Sequence, residues 1–401
     1  MLRNLAEFPR ALRWNAAVTG LLIVLVTSTG PIALILEAAR RGGLDAATTT
    51  SWVGMTWLLS GVFGLLLSLR HRAPVIGAWS TPGVALLAGS LPTHGINAAV
   101  GAYILVAVAV FLVGAAGWFD RLLAHVPRPV VMAMLAGVLF DFGVQTFVVL
   151  PQDPWLVVAM VGAYFVARRL QWRAPVVAAA VAGVMVALLH GAFGRIDASL
   201  SLLHLQFVRP EFSLASTVTL ALPLFLVTMT SQYAPGAAVL TAAGYRVPVR
   251  EALMAGGVLS LLSAPFANAG VNSAAISAAM GTSPDAEPDP ERRYTVGVVA
   301  GLVYILVAVF TGTMLAFFGA MPATLLAGLA GLGLLSAIGS SVAEAFAQAD
   351  YRESALMTFL VTVSGVTLLG MGAPFWGLVA GVGVHRLVEA RTTTTNPTER
   401  H

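Results

Sequence analysis

Apolar runs of about twenty residues, the length a helix needs to cross the hydrocarbon of a bilayer, recur along almost all of this 401-residue chain. Backbone groups inside lipid must bond to one another, so a chain built of such runs folds as a bundle of helices. Composition agrees, with 58% of residues hydrophobic and 10% charged, against about 25% charged in a soluble protein. The expectation is an all-α polytopic protein embedded in a lipid bilayer. Met1–Trp14 carries Arg3, Arg10 and Arg13 and lacks the apolar core and cleavage site of a secretory signal, so the first long run reads as a retained helix. The chain has no cysteine, which excludes disulfides and thiolate metal sites. It also has no HExxH pattern and no evident mid-span histidine. No metal, cofactor or intramembrane enzyme chemistry is therefore expected.

Fourteen segments read as crossings. The first seven are residues 14–37, 48–69, 73–91, 96–119, 127–149, 154–167 and 174–190. After a polar connection through Arg195, Asp197 and Glu211 come 217–233 (reaching as far as 242), 248–263, 266–281, 294–318, 322–341, 354–369 and 374–388. All 22 basic residues are arginine. With the N-terminus in the cytoplasm, only Arg40, Arg41, Arg195 and Arg209 lie outside, leaving 18 of the 22 inside. Basic residues beside spans favour the cytoplasmic side, and losing one crossing would invert every later loop. Both termini are thus expected in the cytoplasm. The net charge of +4 reflects topology, because no soluble basic face exists to bind nucleic acid.

Seven is odd, so residues 217–388 enter the membrane upside down relative to residues 14–190. That is the inverted repeat of secondary transporters, whose substrates bind near the midplane where matching helices are broken. The third span of each half is the irregular one: APVIGAWSTPGVALLAGS (73–90) and PFANAGVNSAAISAAMGTS (265–283). Each is expected to run extended, over 75–79 and 267–271, and then to begin a short helix near Thr81 and Asn272. Pro82 suits a first helical turn, and Ser80, Thr81, Asn272 and Ser273 are capping residues. Two facing helix N-termini favour an anion. The alternative is a pair of kinked helices packed on small residues; matching positions in both halves favour breaks.

Candidate substrate-binding residues are Trp79, Ser80, Thr81, Asn268, Gly270, Asn272 and Ser273, joined by Gln232 and Tyr233 from TMTSQYAPG in the eighth span. The tyrosine could stack on an aromatic substrate or donate a hydrogen bond; the bland reading of the pair is interhelical hydrogen bonding or an interfacial position. Asp141, in MLAGVLFDFGVQTF, is the acid well inside a span. It is a candidate for proton coupling, with Gln145 one turn on as partner, or else a structural acid.

Several stretches resemble the benzoate/proton symporters, the benzoate membrane transport proteins: PVIGAWSTPGVALL (74–87), SQYAPGAAVLTAAGY (231–245), NSAAISAAM (272–280), DPERRY (289–294) and TFLVTVSGVTLLGMGAPFWGLVAG (358–381). The resemblance covers most of the chain, and the family looks related to the uracil-permease and anion-exchanger fold. It implies a core domain from spans 1–4 and 8–11, a gate domain from spans 5–7 and 12–14, and substrate held between spans 3, 8 and 10. It further implies proton-coupled import of benzoate or a related aromatic carboxylate across the inner membrane by alternating access. A homodimer through the gate domain is what the related folds suggest. The chain departs from the pattern at Tyr233, where the family usually has asparagine, at Asn268 and Ala269, where it has glycine and histidine, and at Asp141, often arginine. An anion channel or exchanger, or a carrier of another small organic solute, is the alternative on the same fold. The polar stretch 391–401 reads as a tail.

Overall fold

The computed structural model describes residues 1–119, 121, 127–172, 175–194, 200–274, 276–284, 286–366, 368 and 373–389. The expected tail at 391–401, and Arg195 and Asp197 of the polar connection, lie outside the described residues. The first half contains α1 (Leu2–Ala11), α2 (Trp14–Arg41), α3 (Ala46–His71), β1 (Gly77–Ala78), α4 (Thr81–Ala116), α5 (Arg128–Val148), α6 (Pro154–Arg169) and α7 (Pro175–Leu189). The second contains α8 (residues 214–242), α9 (Val249–Ser263), β2 (Asn272–Ser273), α10 (Ile276–Thr282), α11 (Tyr294–Val309), α12 (Thr311–Gly319), α13 (Ala323–Ala345), α14 (Arg352–Val363) and α15 (Ala373–Val384).

Among the described residues, six helices are long and apolar enough to cross a membrane, or seven if α11 and α12 form one span. One expected boundary is present and one differs. The third and fourth expected spans, 73–91 and 96–119, meet within α4, which is two helices divided by a kink. Gly95 breaks it, at φ 74° and ψ 166°, a conformation only glycine adopts cheaply. Pro92, three residues earlier, withholds one backbone N–H from the ladder. The expected single span 294–318 is two helices meeting at 74°. There Thr311 donates its hydroxyl to the Ala308 carbonyl at 2.5 Å, engaging an acceptor at the end of the preceding helix.

Small residues set the packing. A Cβ on Gly61 of α3 would lie 2.6 Å from the Gly301 carbonyl oxygen of α11, so these backbones nearly touch, as in many membrane bundles. The largest apolar cluster joins α2, α3, α4, α8, α9 and α11, through buried residues such as Trp52, Phe63, Leu87 and Leu224, and extends into α5 and α13 through Leu139 and Leu334. A separate one joins α6, α7 and α13 through Leu156, Met160, Ala179 and Leu325.

Candidate functional site

The two broken segments meet. β1 and β2 pair antiparallel, with Gly77 opposite Ser273 and Ala78 opposite Asn272, and the Ala274 N–H donates to the Ile76 carbonyl at 3.0 Å. Glycine is needed at position 77 because a Cβ there would overlap the Ser60 carbonyl of α3.

The first segment follows its sequence. Extended residues lead to Ser80, whose Oγ accepts from the Gly83 N–H at 3.1 Å, and α4 starts at Thr81 with Pro82 in its first turn. The second departs from expectation. A helix start was expected near Asn272, but that residue lies in β2 and α10 begins at Ile276. Ala267 and Gly270, at φ 66° and 123°, turn the chain so that Asn272 pairs with Ala78 instead of opening a helix.

Side chains from neighbouring helices brace this second segment. Asn268 is 1% exposed. It accepts from Thr56 at 3.1 Å and from the Gly270 N–H at 3.3 Å, and donates to Ser263 at 3.0 Å. Ser260 accepts from the Val271 N–H at 2.8 Å. Tyr233, in a π-helical turn of α8 (Met229–Tyr233), donates to the Val271 carbonyl at 3.1 Å. Its hydroxyl lies so close to Gly256 that a Cβ there would collide with it. Tyr233, Gly270 and Asn272, with Thr228, Ser260 and Val106, surround a cavity of about 10 Å³, room for about one water. The phenol is therefore packed as a brace and has no room beside it for an aromatic ring. Gln232 precedes Tyr233 in the same turn and is half-buried, as is Thr81.

Trp79 packs edge-on to Tyr304, with ring centroids 6.2 Å apart, and the Tyr304 hydroxyl sits 2.5 Å from that of Thr27. Trp79 Nε1 and Asn272 Oδ1 are both buried without a hydrogen-bond partner. Such groups cost about 1–3 kcal/mol each, and in native proteins they call for an explanation.

Asp141 lies elsewhere. Its side chain is 51% exposed and borders a cavity of about 410 Å³ that shares no lining residue with the small one. Gln145 donates to it at 3.3 Å, the partner expected one turn on. Arg41 was missed by sequence reasoning. Both of its terminal nitrogens lie 3.2 Å from Asp141 Oδ2. Among the described residues no group of three or more His, Asp or Glu side chains could hold a metal ion.

Residues 11–387 match the model of a family described as BenE, benzoate membrane transport protein. The chain belongs to this family. As a member of the benzoate membrane transport protein family, it is 37% identical over 368 residues to the benzoate membrane transport protein of Acinetobacter baylyi, covering 92% of this chain and 93% of that one. It is 39% identical over 362 residues to inner membrane protein YdcO of Escherichia coli, covering 90% and 93%. Among solved structures it resembles the transmembrane domain of a cyanobacterial bicarbonate transporter, BicA, with TM-score 0.59, 14% identity and 96% and 98% coverage. It also resembles SLC26A9, with TM-score 0.63, 11% identity, and coverage of 98% of this chain and 68% of that one. These last two likenesses are of fold. This member of the benzoate membrane transport protein family is thus a multi-pass inner-membrane transporter and not an enzyme.

Proposed function

We propose that the protein imports benzoate or a related aromatic carboxylate together with a proton, by alternating access. The carboxylate binds where the two broken spans meet, against the start of α4 and the π turn of α8. Trp79, Thr81, Gln232 and Asn272 contact it, Ser80 and Ser273 shape the chain ends, and Asn268, Gly270 and Tyr233 hold the second segment in place. In this reading fourteen crossings form a seven-plus-seven inverted repeat with both termini in the cytoplasm. Spans 1–4 and 8–11 move as a core against a gate of spans 5–7 and 12–14.

One observation carries the reading: the strand pair unites two interrupted spans and leaves Trp79 Nε1 and Asn272 Oδ1 buried and unpartnered. The orphaned Trp79 donor suits a carboxylate, which accepts, and the orphaned Asn272 Oδ1 suits a donor such as the proton carried with it. The family and the A. baylyi relative support benzoate as the first solute to test.

The test is direct binding to purified protein of benzoate, uracil, sulfate and a non-aromatic carboxylate. Uptake alone misleads, because protonated benzoic acid crosses bare lipid. Saturable binding of benzoate with a component that Asn272→Ala removes supports the reading; no binding, or equal response to all four solutes, overturns the substrate. Proton coupling is tested in proteoliposomes, where benzoate entry must alkalinise the outer medium faster than in protein-free vesicles.

A further inference from the structure

The 410 Å³ cavity beside Asp141 plays no part in that site and is large enough to receive an aromatic carboxylate by itself. A cavity of about 150 Å³ accommodates a benzene ring, and small-molecule sites commonly measure about 300–1,000 Å³. Its walls come from α4 beyond the strand pair (Leu86, Gly89), from α5 (Val138, Phe142) and from the facing ends of α14 and α15. Arg41, at the end of α2, supplies a cation at its edge.

The guanidinium is held from behind, because its Nε donates to Glu37 at 2.7 Å, one turn back on α2. Its carbon lies 5.4 Å from the centre of the Phe142 ring. Both terminal nitrogens reach a single oxygen of Asp141 at 3.2 Å. That is looser than the two parallel bonds a guanidinium can make to both oxygens of a carboxylate. The side chains are 29% and 51% exposed, and ion pairs this open to solvent contribute little. A carboxylate entering the cavity can therefore take the fork geometry that Asp141 leaves unused. The charges of Glu37, Arg40, Arg41 and Asp141 already cancel, so an incoming anion must displace Asp141.

We propose that this cavity is a second binding site for the aromatic carboxylate. Arg41 takes the carboxylate in place of Asp141, while Leu86, Val138 and Phe142 receive the ring. Asp141 acts as a built-in competitor that limits affinity. The proposal rests on the aromatic-carboxylate reading above. In the topology proposed there the cavity opens outward, so it receives solute ahead of the junction of the broken spans.

The chain contains no cysteine, so a Gly89→Cys variant carries a single thiol. Gly89 lines the cavity and is exposed, and a Cβ there meets nothing within 4 Å. The rate at which a maleimide labels that thiol in the purified full chain is measured against benzoate concentration, beside equilibrium benzoate binding. Benzoate should slow labelling, and should still do so with Asn272→Ala added. Asp141→Asn should move half-protection to about two- to fivefold lower benzoate, the size of an exposed ion pair. Arg41→Gln should raise it about tenfold or more, as expected for losing a hydrogen bond to a charged group. A merely structural pair would weaken protection in both variants, and that outcome overturns the proposal. Protection lost with Asn272→Ala but kept with Arg41→Gln also overturns it, leaving the deep site intact. Benzoate that binds without protecting the thiol overturns it alone; benzoate that neither binds nor protects removes the substrate reading, and the proposal with it.

Discussion

The two broken segments occupy matching places in their halves and pair strand to strand, yet they are built differently. The first is capped within its own segment and bracketed from outside by Ser68 of α3, whose hydroxyl donates to the Val75 carbonyl at 2.9 Å and accepts from the Val75 N–H at 3.1 Å. Ser80 caps α4, Pro82 lies in its first turn, and the helix runs from Thr81 to the break at Gly95. The second is held from outside, by Thr56 of α3, Ser260 and Ser263 of α9 and Tyr233 of α8, and the helix after it has seven residues. A longer capped helix supplies local stability, whereas a short one depends on tertiary contacts. The difference teaches that the second segment's shape is a property of its neighbours, so substitutions far along the chain should disturb it.

The largest expected effect follows from Asn268. Replacing it with alanine removes three hydrogen bonds at about 1 kcal/mol net each, so a loss of about 3 kcal/mol is expected. It should appear as a lower unfolding midpoint in detergent, with weakened benzoate binding. An unchanged midpoint would show that the second segment needs no outside support, and the contrast between the segments would disappear.

Gly77→Ala attacks the first segment at its tightest contact, since the new methyl group meets a backbone carbonyl of α3 that cannot swing away. Overpacking of this kind costs about 1–3 kcal/mol, so a loss of about 2 kcal/mol is expected in the same assay. Ser80→Ala should cost about 1 kcal/mol, the usual value for a lost helix N-cap, and Ser80→Thr, an uncharged cap, should restore most of it. Equal destabilisation by Ser80→Thr would mean that the hydroxyl serves something other than the cap.

Where the chain breaks was legible because Ser80, Thr81, Pro82 and the Asn268–Ser273 stretch are polar or helix-breaking residues inside apolar runs. The capped start of α4 was legible too, since caps are local. The helix start near Asn272 was misread for the same reason in reverse. Asparagine is a good cap, but its pairing with Ala78, 194 positions earlier (272 less 78), draws it into a strand. Gln145 could be matched to Asp141 by one-turn spacing, whereas Arg41 lies 100 positions away and left no local signal. In the proposed topology both Arg41 and Asp141 fall toward the outer surface, a coincidence of depth that could have suggested the pair. Tyr233 was assigned to the pocket by its chemistry. Its direction toward Val271 depends on the π turn and on Gly256, and no periodicity in α8 announces either.

Tyr233 therefore gives the smallest effect and the sharpest comparison. Tyr233→Phe removes one bond to the Val271 carbonyl, an expected loss of about 0.5–1.5 kcal/mol, and leaves the ring packing in place. Gly256→Ala strikes the same contact from the other side, because its methyl group would collide with the phenol oxygen. Adding Gly256→Ala to Tyr233→Phe should cost less than adding it to the native chain, since the oxygen it strikes is gone. That non-additivity, read from the four unfolding midpoints of a double-mutant cycle, measures the coupling directly. If the two changes simply add, Tyr233 is not the link between α9 and the second segment. Benzoate binding measured on the same four proteins then separates brace from contact. A brace should lower affinity in step with stability, whereas a ring that stacks on the substrate should keep its affinity in Tyr233→Phe and lose it only in Tyr233→Ala.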